Sequence, residues 1–312
     1  MQRNVAIPTW FGVGGGADAL VTVGSVEELS AVLREERVVR VLGEGANLLV
    51  DDSGVDGVVV SLARLDGVEC AEGGLVRVGA GADLMKLITS TVRDGLAGLE
   101  ALAGIPASIG GACVMNAGGA FGSFAEFVRR VRVVARDGSA RWMTREEIGF
   151  DYRRSGLEGE IVVEVELGLR EVEGKEQEEA RARLKEVMAY KKGSQPMAER
   201  SAGCVWKNPM APSDWTGMRT PDAHRVPAGW LVDQTGLKGV QIGGAMVSPR
   251  HANFVVTEQW EGKPACTAGD VLALMREVRT RVLDRHGIAL EPEVVVWRRG
   301  EFDVLTGGRA SL

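Results

Sequence analysis

Histidine, cysteine and positive charge are all in short supply in this chain of 312 residues. Its three histidines (His224, His251, His286) show no HExxH-like spacing. The four cysteines (Cys70, Cys113, Cys204, Cys266) form no CxxC pair. Neither set therefore outlines a structural or catalytic metal site. Arginine and lysine number 37 against 43 acidic residues, a net charge of −6, and this argues against a general nucleic-acid binder. No run approaches the roughly 18 apolar residues that a membrane helix needs. The opening "MQRNVAIPTWFGVGGG" has no basic segment followed by an apolar core, so no secretory signal is expected. A cytoplasmic protein with free thiols is the expectation.

What the chain has in excess is glycine, 42 residues against two tyrosines and seven phenylalanines. Hydrophobic content of 45% and charged content of 26% are ordinary for a globular protein, and the length predicts two or three domains. The glycines cluster, and the clusters sit between well-marked elements. Ser25 and Glu28 form a capping box, predicting a helix from about Val26 to Glu36. The strand "VVRVLG" leads into "GEGAN", which is followed by another strand, "LLV", and then by "VVVSL". A dinucleotide loop of the Rossmann kind needs a helix directly after its glycines, so this pattern argues against that fold.

Further on, "LVRVGAG" predicts a strand entering a helix over Asp83 to Arg93. The second cluster, Gly98 to Gly122, is too glycine-rich for a regular helix and too apolar for a solvated linker. It reads either as a buried irregular segment or as a wall of exposed amides around an anionic cofactor. A hairpin turning at Asp137-Gly138 follows, then a capped turn at Thr144, a strand "IVVEVELGLREV", and a charged helix over Glu176 to Lys192. "GSQP" marks a boundary. Beyond it lie a proline-punctuated insert (Met210 to Pro227), a helix ending at Gly236, an amphipathic helix between Thr267 and Gly287, and a strand in "IALEPEVVVW" expected to close the last domain.

Seven stretches in order carry a resemblance: "TWFGVGGGA", "LGEGANLLVDDSGVDGVVV", "GLEALAGIPASIGGACVMNAGGAFG", "FDYRRS", "SQP" with "SAGCVWKNP", "AGWLVDQTGLKG" with "GGAMVSPRHANFVV", and "LEPEV". Together they resemble the UDP-N-acetylenolpyruvoylglucosamine reductase family, flavoenzymes of peptidoglycan precursor synthesis. The chain's length resembles the shorter, type II branch, which lacks an extra tyrosine-bearing loop. The resemblance implies an α+β fold: two FAD-binding subdomains of the vanillyl-alcohol-oxidase type (1–62 and 63–198), an α/β substrate-binding domain (199–299) and a tail (300–312). It also implies a monomer that takes NADPH and an enolpyruvyl UDP-sugar. By the same likeness Gly43, Gly45, Ala46, Asn47 and Leu48 line the FAD diphosphate. Gly104, Ile105, Pro106, Gly110, Gly111, Asn116, Ala117 and Gly118 line the opposite side of the cofactor.

The working residues implied are Arg153 on the substrate carboxylate, Glu293 facing the same intermediate, and Cys204 as proton donor, with Tyr152, Lys207 and Asn208 contacting substrate. A useful Glu293 should have its pKa raised. Cys204 departs from the family pattern, where serine is usual. A thiol near the ordinary pKa of about 8.5 is a stronger acid than a serine hydroxyl, and it is open to oxidation if it ionises. Glu291, two residues from Glu293 along the same expected strand face, is a competitor for its role. Lys207 and Asn208 also read as simple fixtures of the turn at Pro209, and Tyr152 as packing. Two other functions remain open on the residues alone: a different flavin oxidoreductase of the same fold, and a non-catalytic flavin or sugar-nucleotide binder.

Overall fold

The computed structural model describes residues 1–221, 224–257 and 265–300, so most of the expected tail lies outside the described residues. Strands Gly16–Thr22, Val55–Ser61 and Val39–Leu42 run parallel, with Gln2–Ala6 antiparallel at the edge. Val58, Val59 and Val60 are all buried, as expected for a central parallel strand covered on both faces. The helix Val26–Glu35 covers one face. Its N-terminus is capped by the Ser25 hydroxyl, which accepts from the Glu28 amide, and it buries Leu29 and Leu33 against Val39, Val58 and Val60.

A second, antiparallel sheet has the order Ala140–Thr144, Val128–Val134, Ile161–Gly168, Leu75–Gly79, Val68–Ala71. Val76, Val78, Val131, Val133 and Val165 join the same core as Leu29 and Val60, so one hydrophobic interior serves both sheets. The helix Leu84–Arg93, capped by Asp83, lies in that core through Leu84, Leu87 and Ile88.

Two sequence expectations change here. The stretch 161–172 is not one strand: it breaks after Gly168, and Arg170–Glu171 pairs instead with Leu96–Ala97. The glycine-rich stretch 98–122 does contain a helix, Ile109–Val114, capped by Ser108. Glycine costs helix stability, but here it permits contact: a Cβ on Gly110 would stand 2.9 Å from that of Ala80.

The third unit packs the helix Ala268–His286 against three short strands, Gln241–Ile242, Ala245–Val247 and Val255–Val256. Its core holds Val205, Trp206, Leu231, Leu274 and Met275, and receives Phe11 and Leu49 from the N-terminal part of the chain. The last strand, Val295–Trp297, buries Val296 in this core but reaches beyond the unit for its partner. It pairs in parallel with Leu48–Val50, directly after the first glycine loop. A distant parallel partner leaves no local trace in sequence, so this pairing could not be read there.

Candidate active site

Backbone pairing brings the site together. The segment around Cys204 runs between two others: Cys204 bridges Phe254, the Val205 amide donates to the Asn253 carbonyl, and the Glu293 amide donates to the Val205 carbonyl. Asn253 locks this register with its side chain, accepting from the Trp206 amide at 3.0 Å and donating to the Trp206 carbonyl at 2.9 Å. Asn253 is buried and serves this backbone.

The same pairing separates the two glutamates. Pro292 bridges Trp206, and the regular strand begins only at Val295, so the two-residue periodicity expected for Glu291 and Glu293 does not apply. Glu291 is 65% exposed and pairs with the Lys207 ammonium at 2.8 Å, whereas Glu293 is 15% exposed and faces inward. There it meets Arg153, whose Nε donates to Glu293 Oε1 at 2.6 Å. Arg153 Nη2 donates to the Gly118 carbonyl at 2.7 Å. Its backbone stands at φ 53°, in the left-handed region that a non-glycine residue enters only at some cost.

Reciprocal amide-to-carbonyl bonds between Asp151 and Arg154 close the turn on which Arg153 sits, and Asn116, itself at φ 41° and buried, anchors it. The Asn116 side chain donates to the Asp151 carbonyl at 2.9 Å and accepts from the Ala125 amide at 3.0 Å. The sequence pointed Asn116 toward the cofactor; in the structure its side chain braces the loop carrying Arg153. Asn116→Ala removes two part-buried hydrogen bonds at about 1 kcal/mol each. It is expected to lower the melting temperature and raise KM for substrate, as thermal melts and steady-state kinetics will read.

Tyr152 does more than pack. Its hydroxyl accepts from the Asn208 amide at 3.1 Å, and its ring lies under the guanidinium of Arg225 at 4.0 Å. Arg225 was missed in sequence. It comes from the proline-rich insert, which carried no motif, and its Nη1 also donates to the Asn208 carbonyl at 3.0 Å. Asn208 in turn caps the helix Ala228–Gln234 through the Ala228 amide. Lys207 and Asn208, expected on substrate, are thus both engaged by protein partners.

Charge in the cleft is shaped mainly by burial. Desolvation pushes the Glu293 carboxyl up, with the Arg153 guanidinium pulling the other way. Desolvation also works against the charge of Arg153, but Glu293 and Tyr152 outweigh it and raise its pKa. The Cys204 thiol is pushed up to about 12, first by desolvation and then by Glu293, with Arg153 and Lys191 opposing. This corrects the acidity expected from the free amino acid. Cys204 sits in the cleft as a fully protonated thiol, partly exposed, and its oxidation as a thiolate is suppressed.

Lys191 is the second residue that sequence reading passed over. It ends the charged helix Gly174–Ser194 and is 6% exposed. Ala180, Leu184 and Val187 turn toward protein on the same helix face, at spacings of three and four, and Lys191 continues that stripe. The stripe was the available signal.

The two glycine segments meet, since a Cβ on Gly43 would stand 2.6 Å from Ser108 Oγ. They differ in what they offer. In the 43–48 loop the amides of Gly45, Ala46 and Asn47 have no hydrogen-bond partner among the described residues, although Gly45 is buried. Three adjacent free donors fit the diphosphate of a dinucleotide. Leu48 follows as the first residue of the strand Leu48–Val50. Asn47 also donates its side-chain amide to the Glu293 carbonyl at 3.1 Å, tying this loop to the catalytic segment.

In the second segment the amides of Ile105, Gly110, Gly111, Asn116 and Ala117 are already bonded within the protein. These five positions thus offer close approach and little bulk, whereas donors of the second segment that are free among the described residues lie at neighbouring positions such as Ala107 and Ser108. Gly104 stands at φ 72° and sends its amide to Met85 Sδ at 3.0 Å, with Ile105 and Pro106 following it in the same bend of the wall. Gly118 pairs with Ser123 in a two-residue ladder. Gly45 permits no side chain: φ is 65° and a Cβ would lie 2.2 Å from the Pro8 carbonyl oxygen. Gly45→Ala is expected to purify with little flavin, as the ratio of flavin to protein absorbance will show.

Among the described residues no group of three or more His, Cys, Asp or Glu is arranged to hold a metal, and no helix is long and apolar enough to cross a membrane.

A paired α+β scaffold, a loop of free amides and a buried arginine–glutamate pair beside a thiol define a flavin-dinucleotide oxidoreductase. Residues 17–144 match the family described as FAD binding domain, and residues 195–297 match UDP-N-acetylenolpyruvoylglucosamine reductase, C-terminal domain. The chain belongs to the UDP-N-acetylenolpyruvoylglucosamine reductase family. It is 40% identical to UDP-N-acetylenolpyruvoylglucosamine reductase 2 of Symbiobacterium thermophilum, over 91% of this chain and 87% of that one. It is 36% identical to the Bacillus subtilis reductase, over 95% and 92% of the two chains. The crystal structure of the Thermus caldophilus reductase superposes with a TM-score of 0.74 at 39% identity, covering 93% of this chain and 95% of that one.

Proposed function

We propose that the chain reduces the enolpyruvyl ether of UDP-N-acetylglucosamine to UDP-N-acetylmuramate with NADPH, in peptidoglycan precursor synthesis. FAD, held by the Gly45–Asn47 amides and flanked by the second glycine segment, supplies the hydride chemistry between NADPH and C3 of the enolpyruvyl group. The chain's own residues do the rest. Arg153 and Glu293 face the carboxylate, where electron density grows as C3 takes hydride; a positioned guanidinium stabilises that density without reorganisation. Cys204 gives its S–H proton to C2. The S–H bond breaks, the C2–H bond forms, and the resulting thiolate is reprotonated from water.

The observation that carries this reading is the buried Arg153–Glu293 pair, assembled across 140 residues of sequence beside Cys204. Glu293 is ionised against Arg153 in the free site, and because desolvation pushes its carboxyl up it can take a proton and donate a hydrogen bond once the substrate carboxylate engages Arg153. Tyr152 and Arg225 extend the cleft toward the nucleotide side of the substrate, and Lys207 rims it.

Anaerobic double-mixing tests the proposal. NADPH is expected to bleach the flavin band near about 450 nm, and the enolpyruvyl sugar nucleotide to restore it without oxygen. Bleaching without restoration would mean a flavin reductase with another acceptor. The chain is read as a monomer acting in the cytoplasm. Light scattering on the holoenzyme checks the first, and fractionation of the source cells the second.

A further inference from the structure

The Lys191 ammonium makes no hydrogen bond or ion pair with any described residue, and the residue is 6% exposed. Its stem is covered by protein while the ammonium nitrogen keeps contact with solvent, so a cation is presented to the cleft with no protein group to answer it. Two landmarks locate it. Its Cδ would lie 2.9 Å from a Cβ on Gly104, so its stem runs along the second glycine wall. Its charge acts on Cys204 and on Arg153, so the three groups share one electrostatic neighbourhood. Arg153 is already matched by Glu293, and Cys204 is neutral. Lys191 is thus the one uncompensated charge among these four groups.

We propose that Lys191 is the counter-charge for a monoanion held between the Gly104 wall and Cys204. This deepens the function proposed above and rests on it. Two anions of that reaction have the required chemistry, a single charge spread over a planar group. One is the carboxylate of the enolpyruvyl or lactyl ether, and the other is the flavin ring in its reduced state. Desolvation lowers the ammonium to about 8, with Arg153 adding to the fall and Cys204 opposing it. Those two are the titratable or charged groups acting on Lys191. The bound anion should stabilise the charged form, so anion binding holds below about pH 8 and weakens as pH rises above it.

The test uses the oxidised holoenzyme with UDP-N-acetylmuramate as probe, titrated by its perturbation of the flavin spectrum, and dye equilibration for the flavin midpoint potential. Lys191→Met is expected to raise the Kd about tenfold or more at pH 7 and to abolish the weakening above pH 8, with Lys191→Arg restoring most of the affinity. A carboxylate ligand leaves the potential unchanged. If the anion is the reduced flavin, the Kd stays put and the potential falls by about 30 mV, the two-electron equivalent of tenfold. Ligand-free Lys191→Met should also melt higher than wild type at pH 7, because an unpaired and partly desolvated charge has been removed. Unchanged Kd and unchanged potential overturn the proposal, as does a lower melting temperature with both preserved, which would make Lys191 a structural residue. Failure of the function proposed above reads differently: the wild-type flavin then neither responds to the probe nor is reoxidised by the enolpyruvyl substrate.

Discussion

Cys204→Ala is expected to leave reduction of the flavin by NADPH at the wild-type rate and to slow reoxidation by substrate about 10²–10⁴-fold, the usual contribution of a positioned general acid. The two half-reactions share a cleft but only one of them needs a proton at C2. Stopped-flow absorbance separates them in a single preparation. Cys204→Ser should retain most of the second step, because what the site requires is a donor held by the Asn253-locked backbone, and serine occupies the same backbone position. The pH profile adds a sign. With the thiol held near 12, Cys204 stays protonated across neutral pH, so no fall in reoxidation rate on account of this group is expected until pH climbs well above 9. A loss centred near pH 8.5 would mean that the thiol is solvated and that the burial argument is wrong. Equal slowing of both half-reactions in Cys204→Ala would remove it from the proton step.

Arg153→Ala is expected to lower kcat/KM by about 10²–10³-fold and to lower the melting temperature as well. Removing one partner of a buried ion pair strands the other, at about 3–5 kcal/mol. Glu293 would then lie buried with no guanidinium opposing the desolvation that already pushes its pKa up. Arg153→Lys should rescue poorly, since one ammonium cannot serve both the carboxylate of Glu293 and the carbonyl of Gly118 from a fork. The double variant Arg153→Ala with Glu293→Ala separates stability from catalysis. Its melting temperature should exceed that of Arg153→Ala alone, while its activity stays low. Additive destabilisation in this cycle would show that the pair contributes nothing as a pair.

Local signals were legible in the sequence, and contacts between distant segments were not. The capping residues Ser25, Thr144 and Thr267 each start a helix where the sequence placed it, because a cap needs only the next three residues. Gly287 ends the last long helix in a left-handed conformation for the same reason. Arg153 meets Glu293, whose amide bonds the Val205 carbonyl beside Cys204; the roles assigned to the three rest on the family resemblance. Their electrostatics did not follow from those motifs, since the rise of the thiol to about 12 depends on what the other segments bury around it. Lys191 and Arg225 went unseen because neither lies in a motif; each matters through residues far along the chain. The choice between Glu291 and Glu293 turned on Pro292, which interrupts the alternation that made them look equivalent.

The parallel pairing of Val295–Trp297 with Leu48–Val50 imposes an order on the protein's synthesis. The loop whose amides fit the diphosphate leads into Leu48, and both its register and the Asn47 side chain are fixed by residues 293 to 295. Those residues leave the ribosome roughly ten seconds to a minute after Asn47, at about 5–20 residues per second. Until then the nascent chain can complete the helices and much of the antiparallel sheet, but the loop is held only from its N-terminal side, by the Trp10 amide on the Gly45 carbonyl. Capture of the flavin should therefore be a late event that follows release of the whole chain, and a polypeptide stopped short of Trp297 should fold in large part and remain colourless.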